Sequence, residues 1–557
     1  MRDPRAQHLL PRWAALVAAA SFGASTAFAS DLFVNASANC AVGNGSQGAP
    51  FCTINEALAA AVDGDVIRVA PGGYTEELSI SLDVVLETTG TPGSVVLSGS
   101  GARNYLTVET GAVVMVDGFS LRNGNGFQTG QRGNVVNRGD LTLRNATIAN
   151  STVLGCCEGA VLYSEVGAGT MTLDGCTITN NYAGGTSASV VRSYGGGGLV
   201  IRNSSLVSNY VYAGPMVRTN GTPTLIEGCY FQSNRYQTAA VLQSTGADFT
   251  LRNTTISSTA ATAAEFRGAD GVVLVENSTL VNQGNLSATA IRAAAGAVPQ
   301  VRGSILGYGG LAGNFSPPSV AGSFQSLGYN LVEDAGTSSG FVDGVLGDQV
   351  GTPGAPKDAM LAAPALNGGM TRSRLPLPGS PAIDAGHPTE FPASDQRGFP
   401  RTAGGADVGA VEVPAGTDVV CQANGNSTGF PAILSATGSS SLSRGAFDLY
   451  AANVPPGMTG IFLASRASGF VPGPGGSFGN LCLGGTIGRL IGPGQVQTAS
   501  AEATMRLSLD LSALPQGNGT AAVLAGEQWF FQGWFRDSLL GFPTSNFTTA
   551  TTATFTQ

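Results

Sequence analysis

Eight charged residues, Asp117, Arg144, Asp174, Arg202, Glu227, Arg252, Glu276 and Arg302, recur at one position of a repeating motif, and their sign alternates from first to last. Each stands in the frame apolar, charged, Asn or Gly, small, usually Ser or Thr, apolar, as in Leu143-Arg144-Asn145-Ala146-Thr147-Ile148. The anchors Val116, Leu143, Leu173, Ile201, Ile226, Leu251, Val275 and Val301 are 27, 30, 28, 25, 25, 24 and 26 residues apart. A period of this size predicts stacked supersecondary units rather than one globular core. If each unit is one turn of a coil, equivalent residues lie about 4.8 Å apart. Like charges in such a column repel and opposite charges attract, so alternation fits coils stacked in parallel and in register.

Each charge is followed by Gly118, Asn145, Gly175, Asn203, Gly228, Asn253, Asn277 or Gly303, residue types that accept a left-handed backbone and so turn a corner. Apolar residues five positions beyond the anchors, such as Ile148, Ile178, Leu206, Phe231, Ile256 and Leu280, are the expected inner stacks. The combination resembles the right-handed parallel β-helix of pectate-lyase-like proteins, whose Asn-bearing turns can form a ladder. The resemblance covers roughly residues 31–415 and implies an all-β fold.

Arg2, Arg5 and Arg12, the apolar stretch from Trp13 to Ala20 and Ala27-Phe28-Ala29 read as a signal peptide over residues 1–29. Its apolar core is too short for a membrane span, so an exported protein, extracellular or at the cell surface, is expected. The formal charge of −9 becomes −11 once three arginines and Asp3 are removed, which argues against nucleic acid as a partner.

Residues 30–110 are expected to hold an N-terminal cap and first coils. Cys40 and Cys52 are a candidate disulfide there, and Thr53-Ile54-Asn55-Glu56 has the form of a capping box before a short helix. Regular coils follow over 111–324. Cys176 and Cys229 share the small-residue column two coils apart, too far for one disulfide; Cys156 or Cys157 is left as a possible partner for Cys176.

Residues 325–415 lose the period and carry Leu327-Gly328-Tyr329-Asn330-Leu331, Gly379-Ser380-Pro381-Ala382-Ile383-Asp384, Asp395-Gln396-Arg397-Gly398 and Asp407-Val408-Gly409. In this order the motifs resemble the terminal segment of bacterial surface β-helix proteins of the choice-of-anchor Q type, which implies export and display but no particular reaction. Residues 416–557 are predicted to form a small antiparallel β-sandwich. Its signals are the alternating Met505, Leu507, Leu509 and Leu511, the strand-like run Trp529 to Asp537, and a candidate staple of Cys421 and Cys482.

No catalytic set is assigned. The mature chain has one lysine, Lys357, one histidine, His387, and no Asp-Asp pair. His387 follows Asp384 within a Pro- and Gly-rich turn motif, so a structural role is expected. The leading function is a non-catalytic adhesive or carbohydrate-binding role, with polysaccharides or cell-surface glycans as partners, no cofactor, and a monomeric state. Exposed aromatics such as Tyr210, Tyr212, Trp529 and Trp534 are candidate sugar contacts. The alternative is a polysaccharide lyase using an Arg base and perhaps Ca²⁺, marked by Arg, Asp and Tyr from adjacent coils on one face. A third is a ligand-free envelope component.

Overall fold

The computed structural model describes residues 30–557 except 39–42, 102–103, 127–131, 155–158, 186, 233–239, 259–260, 283–287, 309–317, 368, 378, 402–405, 414–416, 429–430, 439, 444–446, 501–502, 518 and 540–541. The leader, Cys40, Cys156 and Cys157 lie outside the described residues.

The repeat folds as a parallel solenoid whose coils each contribute a strand to three sheets of 12, 12 and 10 strands. One coil runs through Thr170–Asp174 in the first sheet, Thr177–Thr179 in the second and Ser189–Tyr194 in the third. Apolar side chains alternate inward along each strand and stack on their equivalents, as Leu143 on Leu173 and Ile148 on Ile178, to give one continuous interior. The helix Ile54–Ala60 closes the first end. The Thr53 side chain and the Glu56 carboxylate form the expected capping box, and Ile54 and Ala57 are buried in the core.

The corner between the first and second sheets falls where the sequence places it. Asn145, Asn203, Asn253 and Asn277 have φ values from 42° to 50°, and Gly118, Gly175, Gly228 and Gly303 from 57° to 75°. Buried side chains one position later tie coil to coil. The Cys176 N–H donates to Ser204 Oγ (2.9 Å), Ser278 N–H to Ser304 Oγ (3.2 Å) and Ser304 N–H to Asn330 Oδ1 (3.1 Å). The asparagine ladder lies at the next corner, not in the Asn145 column. There the Ser151 N–H donates to Asn181 Oδ1 and the Asn181 N–H to Asn209 Oδ1, at 3.0 and 3.1 Å. The corner Asn145 instead donates to Asp117 of the preceding coil (3.0 Å) and Asn253 to the Ser394 carbonyl of the strap (2.8 Å).

Residues 357–412 form a strap that runs back over the outer face of the second sheet. Gln396 donates to the Cys229 carbonyl (3.1 Å) and accepts from Thr255 (2.6 Å), while Arg401 donates to Asn253 Oδ1 (3.2 Å). Gly409, at φ 98°, donates to the Gly303 carbonyl (2.7 Å), and a Cβ there would lie 2.7 Å from Ile305 Cδ1. Asp395, Arg397, Arg401, Asp407 and Glu412 are all buried in the strap. Arg397 Nε donates to Asp395 (2.8 Å), and Arg401 faces Glu412 (3.4 Å).

After the solenoid come antiparallel sheets. Ile433–Gly438, Phe447–Ala452 and Thr504–Ser508 pair in one, and Thr459–Ser465, Gln528–Leu539 and Phe542–Thr554 pair in another. Leu449, Leu507, Phe462, Trp529 and Phe531 from both sheets share one core. Cys421 and Cys482 are disulfide-bonded across 61 residues with a Cα separation of 6.0 Å.

Two outcomes test this packing. Closing a loop of that length restricts the unfolded chain by about 4 kcal/mol, so Cys421→Ser with Cys482→Ser should lower the melting temperature of the antiparallel unit in calorimetry and leave the solenoid transition in place. Burial first, then Glu412, pushes the Asp407 carboxyl well above its ordinary value. A folded value above the unfolded one means the native state binds the extra proton, so stability should rise as pH falls through the folded value toward the ordinary carboxylate range. Asp407→Asn should be at least as stable at pH 7 and lose that acid-side gain in thermal melts.

Candidate functional site

The alternating charges occupy the outward edge of the first sheet. Register pairs Asp117 with Arg144, Arg144 with Asp174, and so on through Glu276 with Arg302. Arg144 bonds Asp117 (2.7 Å), Arg202 bonds Asp174 (3.0 Å), and Arg252 reaches both Glu276 (2.9 Å) and Glu227 (3.7 Å). Arg302 binds Glu276 and, at 2.5 Å, Glu390 of the strap. Going toward the N-terminus the column continues through Glu87 to Arg68, and there alternation stops, because Glu87 stands directly beside Asp117.

The third sheet carries a second polar column that no sequence expectation named. Its outward positions are Tyr163, Arg192, Arg218, Gln243, Glu265 and Arg292 in six successive coils. Tyr163, Arg192, Gln243 and Glu265 are buried although they point away from the interior, and Arg218 and Arg292 are half-buried. The Arg192 guanidinium donates to the Ser187 carbonyl (2.7 Å) and to the Tyr194 hydroxyl, and its carbon sits 4.5 Å from the Tyr194 ring centre. Tyr194 meets Tyr163 edge to face at 6.5 Å, and Arg132 donates to the Tyr163 hydroxyl at 3.2 Å. Glu265 is paired with Arg267. Of this line, the half-buried guanidinium groups of Arg218 and Arg292 are the ones open to solvent, and guanidinium groups favour carboxylate partners.

Arg192 and Arg218 are register neighbours in this column. Sequence carried a signal for it: the six residues are 29, 26, 25, 22 and 27 apart, the coil period again in another register.

Other candidates resolve into structural roles. His387 Nδ1 accepts the backbone N–H groups of Thr389 (3.2 Å) and Glu390 (2.8 Å), and its ring packs edge-on to Tyr329. Trp529 is buried in the C-terminal core, so it offers no sugar platform, and Tyr210 stacks on Tyr182 at 4.8 Å between adjacent coils. Tyr212 is exposed, and Trp534 packs against a small apolar cluster of the C-terminal sheets. Cys176 and Cys229 are buried free thiols, and burial pushes both up to about 12. Cys52 is disulfide-bonded. Tyr308, pushed up to about 12 by burial and then by Asp334, holds its proton at neutral pH. Among the described residues no group of three or more His, Cys, Asp or Glu is placed to hold a metal ion, and no helix is long and apolar enough to cross a membrane.

Compared with known proteins, residues 132–306 match a family model described as right handed beta helix region. The solenoid is a right-handed parallel β-helix. Solved structures similar to this β-helix include "Crystal structure of pectate lyase Pel9A", at 14% identity over 70% of this chain and 97% of that one, with a TM-score of 0.44. "The complex structure of XylC with xylose" is similar at 10% identity over 68% and 98%, with a TM-score of 0.45. A rhamnogalacturonan lyase is similar at 10% over 54% and 87%, with a TM-score of 0.35. No curated protein matches the chain in sequence.

The first-sheet column gives its own test. Arg202→Glu would set three carboxylates in consecutive coils, and a melting temperature lower by roughly 2–4 °C is expected. An unchanged melting temperature would sink the idea that the charges fix coil register.

Proposed function

We propose that this chain is an exported β-helix protein that binds acidic polysaccharide along the outward face of its third sheet without cleaving it. The observation that carries the reading is the polar column of the third sheet, whose outward positions include the half-buried Arg218 and Arg292. A half-buried guanidinium on an outward sheet face is suited to take the carboxylate of a uronate residue in charge-assisted hydrogen bonds. A chain whose mature charge is −11 would take an acidic glycan only at such a local cationic point.

The leader-like N-terminus supports export. The ordered motifs at 325–412 support display at a surface, through their similarity to the choice-of-anchor Q type. The antiparallel C-terminal unit, read as a sandwich module, is an accessory to the β-helix.

A second reading is favoured by the same cluster. Arg and Tyr from adjacent coils on one face are what an Arg-base lyase acting on uronates would require, with Arg218 as the half-buried candidate base. Tyr308 does not serve, since its proton stays on at neutral pH.

The test is a panel of acidic and neutral polysaccharides, with and without Ca²⁺, scored in parallel for bound protein, unsaturated ends and reducing ends. Binding of acidic chains without new ends is expected, together with at least a tenfold loss in Arg218→Ala. Unsaturated ends that vanish in Arg218→Ala would replace the binding reading with the lyase. Neither binding nor ends would leave a structural envelope role.

A further inference from the structure

The charge column of the first sheet has a symmetry that one molecule does not use. Its alternating stretch holds eight charges, from a carboxylate at Asp117 to a guanidinium at Arg302, with Glu87 and Arg68 lying beyond Asp117. A column of this kind is complementary to its own reverse.

Consider two copies placed face to face on this sheet. A two-fold axis along the strand direction keeps every column opposite its own copy and reverses the coil order. With the axis between the coils of Arg202 and Glu227, Arg202 faces the second copy's Glu227 and Asp174 faces its Arg252. Further out, Arg144 faces Glu276 and Asp117 faces Arg302. No like charges meet along the column, and its accessible pairs are attractive; Glu276, buried between Arg252 and Arg302, stays paired within its own chain. A two-fold axis parallel to the solenoid and passing over the charged column would set each coil against itself, like charge on like charge, so it is disfavoured.

The neighbouring outward columns fit the same operation. Beside the charges run half-buried residues that include Thr142, Val200, Leu225 and Leu274. The axis places Val200 against Leu225, an apolar centre, and Thr142 against Leu274. In the next column Asp140 faces Val272 and Asp248 faces Thr170, so no two carboxylates meet. Val272 and Val298 are 56% and 54% exposed, which leaves that side of the sheet open to solvent.

We propose that the first sheet is a self-association surface whose partner is a second, antiparallel copy of this chain, in place of the monomer expected from sequence. Eight coils at about 4.8 Å and five strand residues at about 3.3 Å give roughly 600 Å² per copy. The total, about 1,200 Å², lies at the low end for specific interfaces, so the dimer is weak and reversible. Its rim is ionic, so it is sensitive to salt.

Sedimentation of the mature protein from about 5 to 100 μM tests this. In about 50 mM salt the mass should climb toward twice the monomer value, with dissociation at least tenfold easier in about 500 mM salt; a monomer mass throughout overturns the proposal. Leu225→Lys places a charge at the apolar centre without altering the ladder, and should melt like the parent yet stay monomeric; a dimer that survives it overturns the assignment. Orientation is read with a short bismaleimide, because facing sheets lie about 10 Å apart. A mixture of Thr142→Cys and Leu274→Cys chains should cross-link, whereas Thr142→Cys alone should not. Cross-linking of Thr142→Cys to itself would mean coils facing their own equivalents and would overturn the antiparallel arrangement.

Discussion

Everything in the solenoid depends on vertical register: each coil must lie on the last with equivalent residues superposed at about 4.8 Å. Backbone bonds between parallel strands set that spacing but do not choose which residue sits over which. The choice is made by side chains whose fit is lost on slipping. Inward apolar stacks such as Ile148 on Ile178 would turn outward on a one-residue slip. The Ser204, Ser278, Ser304 and Asn330 side chains would lose backbone donors that no water reaches. Charges along the first sheet penalise a slip of a whole coil, which the apolar stacks alone tolerate.

The same constraint that builds the fold makes departures from it informative. Glu87 beside Asp117 marks where alternation ends toward the N-terminal cap, and Arg68 bridges Glu87 to Asp31 instead. Arg192 beside Arg218 is a departure inside the regular coils and beside buried aromatic and amide groups. One lies where the stack begins. The other lies within the polar column of the third sheet.

How much of this was legible in the sequence follows from loop length. The first sheet, its corner and the second sheet form an unbroken short frame, so anchors, charges and left-handed residues align by eye. Within the regular coils, the segments that join the second sheet to the third vary from five residues between Ser258 and Ala264 to twelve between Gly307 and Val320, which blurs the period and hides the Arg192 column. The asparagine ladder was expected at the wrong corner because Asn145 and Asn203 advertise their left-handed turns, whereas Asn181 and Asn209 sit one corner later and act through buried side chains. The strap was visible only as aperiodic motifs, since Gln396 reaches Cys229 and Arg401 reaches Asn253 across separations of 167 and 148 residues that no local pattern encodes.

The strap also decides how the molecule carries load. Because residues 357–412 run backward, the chain leaves the solenoid beside Gly303 and Thr279 rather than from its last coil. Tension applied through the C-terminal sheets is therefore delivered to the side of the stack. It is shared among the lateral bonds of Gln396, Arg401, Gly409 and Ala410, which resist together in shear. A terminal coil pulled directly would instead peel away one strand at a time, so the backward strap lets the stack resist a pull that its open end would not.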